Sequence, residues 1–224
     1  MSTEEALDWL LQAEADHRKR VRIQNRIKHS RLKISASFED LDWTAKRSLT
    51  KAQGKEIMSL SWLADGRPLV LIGQTGVGKT FLAQATGLKA CQEGKTVLFL
   101  SVTHWLEQQA QARQNGDALR FREKMIRPDL LILDDFGMRK FTALEAEDFR
   151  EMLEERSYGK STLLTTQLPL SHWSEVIPDP VLSEAIVDRL DGPAVIYKIT
   201  GESYRKTKAH TKGAQALAAE VKKH

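Results

Sequence analysis

Five runs of the chain are almost continuously apolar: residues 69–72 (LVLI), 96–100 (TVLFL), 129–133 (DLLIL), 161–166 (STLLTT) and 194–199 (AVIYKI). A strand with one wet face alternates apolar and polar positions. A strand covered on both faces does not. Helical stretches lie between these runs. The combination predicts an α/β fold, with a parallel sheet flanked by helices on both sides.

Ahead of the first run the pattern is helical. Residues 3–33 predict one long helix or a helical pair, with Ser2 and Glu5 spaced as a capping box. Its first part is acidic, with apolar Leu7, Leu10 and Leu11. Its second part is basic, with apolar Val21, Ile23 and Ile27. A loop follows, then a further helix near 45–63, then a turn at Asp65-Gly66-Arg67-Pro68. The expected organisation is a helical, basic region over 1–62, a core over 63–207 and a basic tail over 208–224.

No apolar run approaches a membrane span, and the N-terminus carries no signal-peptide pattern. Cys91 is the only cysteine, so no disulfide can form within the chain. These features predict a cytoplasmic protein, with Cys91 as a small core residue. The histidines show no metal-ligand spacing, and no Ser–His–Asp or Cys-based zinc set is present.

Charge changes the picture. The whole chain carries +4, yet residues 17–33 alone hold Arg18, Lys19, Arg20, Arg22, Arg26, Lys28, Arg31 and Lys33 and no acid. Eight cations on one helix suggest a footprint for a polyanion. Residues 104–127 are also rich in Arg and Gln and predict two helices. There Arg113 and Arg120 either line a nucleic-acid path or belong to an ordinary surface helix pair.

The most specific pattern is Gly73-Gln74-Thr75-Gly76-Val77-Gly78-Lys79-Thr80, a Gly, four residues, then Gly-Lys-Thr. It sits between an apolar run and a helical stretch, the setting of a phosphate-binding loop. Its glycines allow tight turns that aim backbone N–H groups inward. A helix N-terminus points its positive end at the same place. Lys79 would reach β- and γ-phosphates, and the Thr80 hydroxyl would take one position on Mg²⁺.

Two acids, Asp134 and Asp135, end the third apolar run, where ligands bind in open α/β sheets. One would support Mg²⁺ and the other would orient or deprotonate water. If the fourth strand lies between the first and third, Thr166 or Gln167 falls near the γ-phosphate. Arg189 ends a helical stretch. It either reaches a neighbouring subunit's nucleotide or pairs locally with Asp188 or Asp191.

The segments around residues 69–100, "DLLILDDFG", "TTQLP" with its following Trp, "DRL" and "GESYRK" together resemble the IstB family. These are AAA+ ATPases encoded beside a transposase in insertion elements, similar to the DnaC helicase loader. The resemblance spans residues 5–207. It implies a P-loop AAA+ core with five parallel strands in the order 5-1-4-3-2 and a small N-terminal helical domain; the C-terminal lid of the wider pattern is missing or minimal in this sequence. It implies Mg²⁺-dependent ATP hydrolysis, assembly into an oligomer on duplex DNA without strong sequence choice, and stimulation of a partner transposase. It assigns the nucleotide to Gly73, Gln74, Thr75, Gly76, Val77, Gly78, Lys79, Thr80 and Phe81, and the metal to Thr80 and Asp134. Asp135 becomes the catalytic acid, Gln167 the first sensor, Arg189 the arginine finger and Arg205 a second sensor. Two residues depart from the wider AAA+ pattern: Asp135 stands where Glu is common, and Gln167 where Asn is. The main alternative is a DnaC-type loader acting on single-stranded DNA and a helicase. A small-molecule kinase and a non-hydrolysing, nucleotide-gated adaptor are the others.

Overall fold

The five apolar runs pair into one parallel sheet in a computed structural model that describes residues 2–33, 36–41, 43 and 47–203. The strands are β1 (Leu69–Gly73), β2 (Val97–Ser101), β3 (Leu130–Phe136), β4 (Ser161–Thr166) and β5 (Val195–Ile199). Their order across the sheet is β2-β3-β4-β1-β5, which is 5-1-4-3-2 read from the other edge. The expected order and all five strands are therefore present.

Successive residues of each strand feed opposite layers. Val70, Ile72, Leu98, Leu100, Leu131, Leu133 and Leu164 face one core. It is closed by α5 (Val102–Gln114), α6 (Ala118–Ile126), α7 (Ala143–Arg156) and α8 (Pro180–Asp191). Leu69, Leu71, Leu130, Ile132, Leu163 and Ile199 face the other. That layer is closed by α2 (Lys51–Ser59), α3 (Ser61–Ala64) and α4 (Lys79–Gln92), together with Leu32, Leu41 and Leu49 from the segments before them. Both layers are apolar, which explains why the strands read as continuous runs. Cys91 is buried here as a core residue, and burial pushes its thiol up to about 11.

The long first helix, α1 (Thr3–Ser30), carries the expected capping box: the Glu5 N–H donates to Ser2 Oγ, and the Ser2 N–H donates to Glu5. Its first two-thirds are exposed; only Ile23, Arg26, Ile27 and Ser30 turn toward the body. The helix expected near 45–63 is shorter and split. Thr50 caps α2, so regular helix begins at Lys51, and Leu60 at φ 58° breaks it before α3.

One buried cation ties the layers together. Arg156 is 1% exposed. Its guanidinium donates to the carbonyls of Met125, Ile126 and Pro128 at 2.9–3.0 Å, to Thr162 Oγ1 at 2.9 Å and to the Ser161 carbonyl. Burial pulls its pKa down to about 9, still cationic at neutral pH. Arg156→Met is expected to strand these carbonyls in an apolar layer at a cost of about 3 kcal/mol. In a chain of this size that lowers the melting temperature by roughly 6–12 °C. An unchanged melting curve would mean the carbonyls find water.

Candidate nucleotide site

The loop between β1 and α4 has the geometry its spacing predicts. Gly76 and Gly78 hold φ of 89° and 100°, in the left-handed region. A Cβ on Gly76 would come within 2.1 Å of Ser203 Oγ, and one on Gly73 within 2.1 Å of the Ile199 carbonyl oxygen. The loop is therefore packed against the end of β5 and the residues after it. Gly78 precedes the first turn of α4, so that helix presents its N-terminus to the loop.

Lys79 is buried, and its Nζ donates to the carbonyls of Gly73 at 2.8 Å and Gln74 at 3.0 Å. Thr80 Oγ1 donates to Asp134 Oδ1 at 3.1 Å. Two hard oxygen donors thus face each other beside the loop, a donor set suited to Mg²⁺. A cavity of about 530 Å³ opens over them, lined by Thr75, Gly76, Gly78, Lys79, Thr80, Phe81, Asp135 and Gln167 from the core. Its volume and cationic floor fit a nucleoside triphosphate. Val77 points its side chain into the core instead.

The two acids are sorted by a bulge. Leu133 pairs with Leu164 and Phe136 with Thr166, so Asp134 and Asp135 together oppose Thr165. Asp134 turns inward and is buried, while Asp135 turns out into the cavity at φ 59°. Thr165 serves both: its hydroxyl donates to Asp134 Oδ1 at 2.5 Å and accepts the Asp135 N–H at 3.0 Å. Phe136 locks the far side of the bulge, stacked on Trp173 at 3.9 Å. Strand β3 therefore runs three residues past the expected end at Leu133. The extension depends on a partner strand that local sequence does not show.

Burial raises the Asp134 carboxyl above its ordinary range, and the Asp135 charge adds to this; the Thr165 and Thr80 hydroxyls and Lys79 oppose it. A raised folded-state value means the native state holds the proton more tightly than the unfolded chain. Ionised Asp134 then subtracts stability as pH rises above its unfolded value near 4. Asp134→Asn is expected to raise the melting temperature at neutral pH. The gain should vanish in acid, where the native carboxyl is already neutral. Mg²⁺-dependent nucleotide affinity should fall in the same variant. A melting temperature that drops at neutral pH would count against this account.

The remaining expected residues are dispersed. Gln167 lines the cavity, with its Nε2 3.2 Å from Met138 Sδ. Arg189 lies outside the cavity lining; it donates to the Ala185 carbonyl at 2.7 Å and pairs with Glu154 at 2.6 Å, rather than with Asp188 or Asp191. Arg205 lies outside the described residues. Arg18, Lys19, Arg20, Arg22, Lys28 and Arg31 are exposed along α1, with Arg18 paired to Glu14 at 2.6 Å. Arg26 is half-buried, and Lys33 lines the nucleotide cavity. Arg113 pairs with Asp148 of α7, and Arg120 stands 3.6 Å from Asp117 while remaining exposed. Sequence reasoning missed Thr165, Met138 and Arg47. The doubled Thr at the end of β4 was the only local signal for the first, and nothing local marked the others.

The chain matches the IstB-like ATP-binding proteins over residues 1–212. It is 34% identical over 206 residues to a protein of Sinorhizobium fredii named as an insertion-sequence ATP-binding protein, covering 92% of this chain and 84% of that one. A Mycobacterium tuberculosis protein named as an ATP-binding protein in an insertion sequence is also 34% identical, covering 91% and 82%. Among solved structures, the fold matches the DnaC helicase loader with a TM-score of 0.61 at 20% identity, over 74% of this chain and 97% of that one. It matches the replication initiator DnaA, bound to AMPPCP and single-stranded DNA, with a TM-score of 0.64 at 20% identity, over 75% and 51%. No described helix is long and apolar enough to cross a membrane. With its P-loop, its bulged pair of acids and its 5-1-4-3-2 sheet, the chain belongs to the family of IstB-like ATP-binding proteins and has an AAA+ fold.

Proposed function

We propose that this protein is a Mg²⁺-dependent ATPase that assembles on duplex DNA and stimulates a partner transposase. The observation that carries the reading is the convergence of Lys79, Thr80 and Asp135 on one cavity, with buried Asp134 bonded to Thr80 beside it. Lys79 would leave its two carbonyl partners for β- and γ-phosphate oxygens. Thr80 and Asp134 would hold Mg²⁺, which neutralises charge developing on the phosphates. Asp135, outward on its bulge, would orient the attacking water and take its proton. Gln167 stands where the terminal phosphate would be felt. Arg189 would exchange Glu154 for a neighbouring subunit's nucleotide once copies assemble, a role suited to a guanidinium.

The names of the relatives support the transposition setting, since each belongs to an insertion sequence. The basic half of α1 supports a DNA partner. Most of its cations are exposed, so phosphate contacts would give affinity without reading bases. Such a partner places the protein in the cytoplasm, and residues 1–62 form the region that meets DNA or the transposase.

The test compares duplex and single-stranded DNA, with and without ATP and Mg²⁺, reading complex size by sedimentation. Large ATP-dependent assemblies on duplex, weakening steeply with salt, are the expected result. Preference for single strands would favour a helicase loader instead. Binding to neither would remove DNA from the reading.

A further inference from the structure

Part of the lining of the nucleotide cavity comes from the segment that joins α1 to α2. Asp40, Leu41 and Arg47 line it. Of these, Arg47 reaches the loop. A Cβ built on Gly78 would point at Arg47 Nη1 from 3.0 Å, so the guanidinium stands directly over the last glycine before Lys79. Gly78 has φ of 100°, the conformation that turns the loop's N–H groups toward a phosphate. Arg47 therefore occupies the space above the anion cradle.

Its placement is built rather than incidental. Arg47 forms an antiparallel bridge with Gly201, beyond the end of β5. The next residue fastens it: the Ser48 N–H donates to the Thr200 carbonyl at 2.8 Å, Ser48 Oγ donates to the Lys198 carbonyl at 3.0 Å, and the Thr200 N–H donates to Ser48 Oγ at 2.9 Å. The same strand end is pressed against Gly73, where the phosphate loop begins. Two residues further on, Thr50 caps α2. One short stretch thus links the phosphate cradle, the end of β5 and the N-terminal helices.

We infer that Arg47 is a second phosphate-binding cation of this site, supplied by the N-terminal segment, and that through it a bound polyphosphate fixes that segment against the core. The inference rests on the site being a nucleotide site. A planar guanidinium suits this place because its fixed fork of N–H donors can bind phosphate oxygens in pairs, a geometry an ammonium does not preset. The number of phosphates on the ligand should then decide how firmly residues 47–50 are held, and through them how α2 is held.

The test measures direct binding of ATP, ADP and AMP to the full chain by calorimetry, with hydrogen exchange at the Ser48 and Thr200 amides as a second readout. Arg47→Ala should weaken ATP about tenfold to a hundredfold, the range for a lost charge-assisted contact, and change AMP little. Arg47→Lys should fall between. ATP should slow exchange of both amides in the wild type and fail to do so in Arg47→Ala. Equal ATP affinity in wild type and Arg47→Ala overturns the inference and leaves the nucleotide site standing. So does an equal loss for ATP and AMP, which would mean a base contact or local damage. If Arg47→Ala does not fold, an Arg47→Lys chain with wild-type ATP affinity and wild-type protection overturns it. Should the wild type bind no nucleotide at all, both the inference and the functional reading fall.

Discussion

Asp135→Asn is expected to lower ATP turnover by about two to four orders of magnitude while ATP affinity stays within roughly threefold of wild type. Asn has the same shape as Asp and, like Asp, tolerates the left-handed backbone held at φ 59°. The N–H bond to Thr165 Oγ1 is made by the backbone and survives the substitution. Asp134 keeps its bonds to Thr165 and Thr80, so the neighbouring acid stays in place. What the variant loses is the carboxylate that faces the cavity, the group that would orient water and accept a proton. Single-turnover hydrolysis and direct ATP binding, measured side by side, separate the two effects. Unchanged hydrolysis would remove Asp135 from the catalytic role, and no hydrolysis even in the wild type would make the protein a nucleotide-gated adaptor. A parallel loss of affinity would mean that Asp135 holds the nucleotide rather than the water.

The phosphate loop was legible in sequence because its spacing encodes its geometry. Gly76 and Gly78 are needed at left-handed φ, and Lys79 and Thr80 must open the helix behind them. The strands were legible because both sheet faces are covered, which removes alternation from Val70-Leu71-Ile72 or Leu131-Ile132-Leu133. Features that depend on partners far along the chain were not legible. The bulge exists because Asp134 and Asp135 meet one residue, Thr165, thirty positions later. Sequence leaves Arg113 open between a nucleic-acid path and a surface helix pair, and α7 decides for the latter by supplying Asp148; it likewise supplies Glu151 and Glu155 to Arg122. That pairing leaves the exposed cations in the basic half of α1 as the better candidates for the proposed DNA contact. Arg47 carried no local pattern. Its place is fixed by Ser48 bonding to a strand end about 150 residues away.

Lys79→Ala carries the other large effect, on binding rather than chemistry. The Lys79 ammonium donates to the carbonyls of Gly73 and Gln74, at the edge of a cavity that water can enter. Removing it therefore leaves few groups unsatisfied, and the fold should persist. With nucleotide the loss is different in kind. The ammonium is buried beside Asp134 and would be the loop's own cation for the phosphate chain. A charge-assisted bond to a phosphate is worth about 1.5–3 kcal/mol, and Lys79 has three donors to spend. ATP affinity is expected to fall by about two to three orders of magnitude, with AMP less affected. Its removal also takes away a charge that lowers the Asp134 pKa, and Mg²⁺ held through the nucleotide should be lost with it. Calorimetry across an ATP and Mg²⁺ matrix reads both losses, and circular dichroism checks the fold. A Lys79→Ala chain that binds ATP like the wild type would move the phosphates elsewhere in the cavity, and with them the roles drawn for Thr80, Asp134 and Asp135.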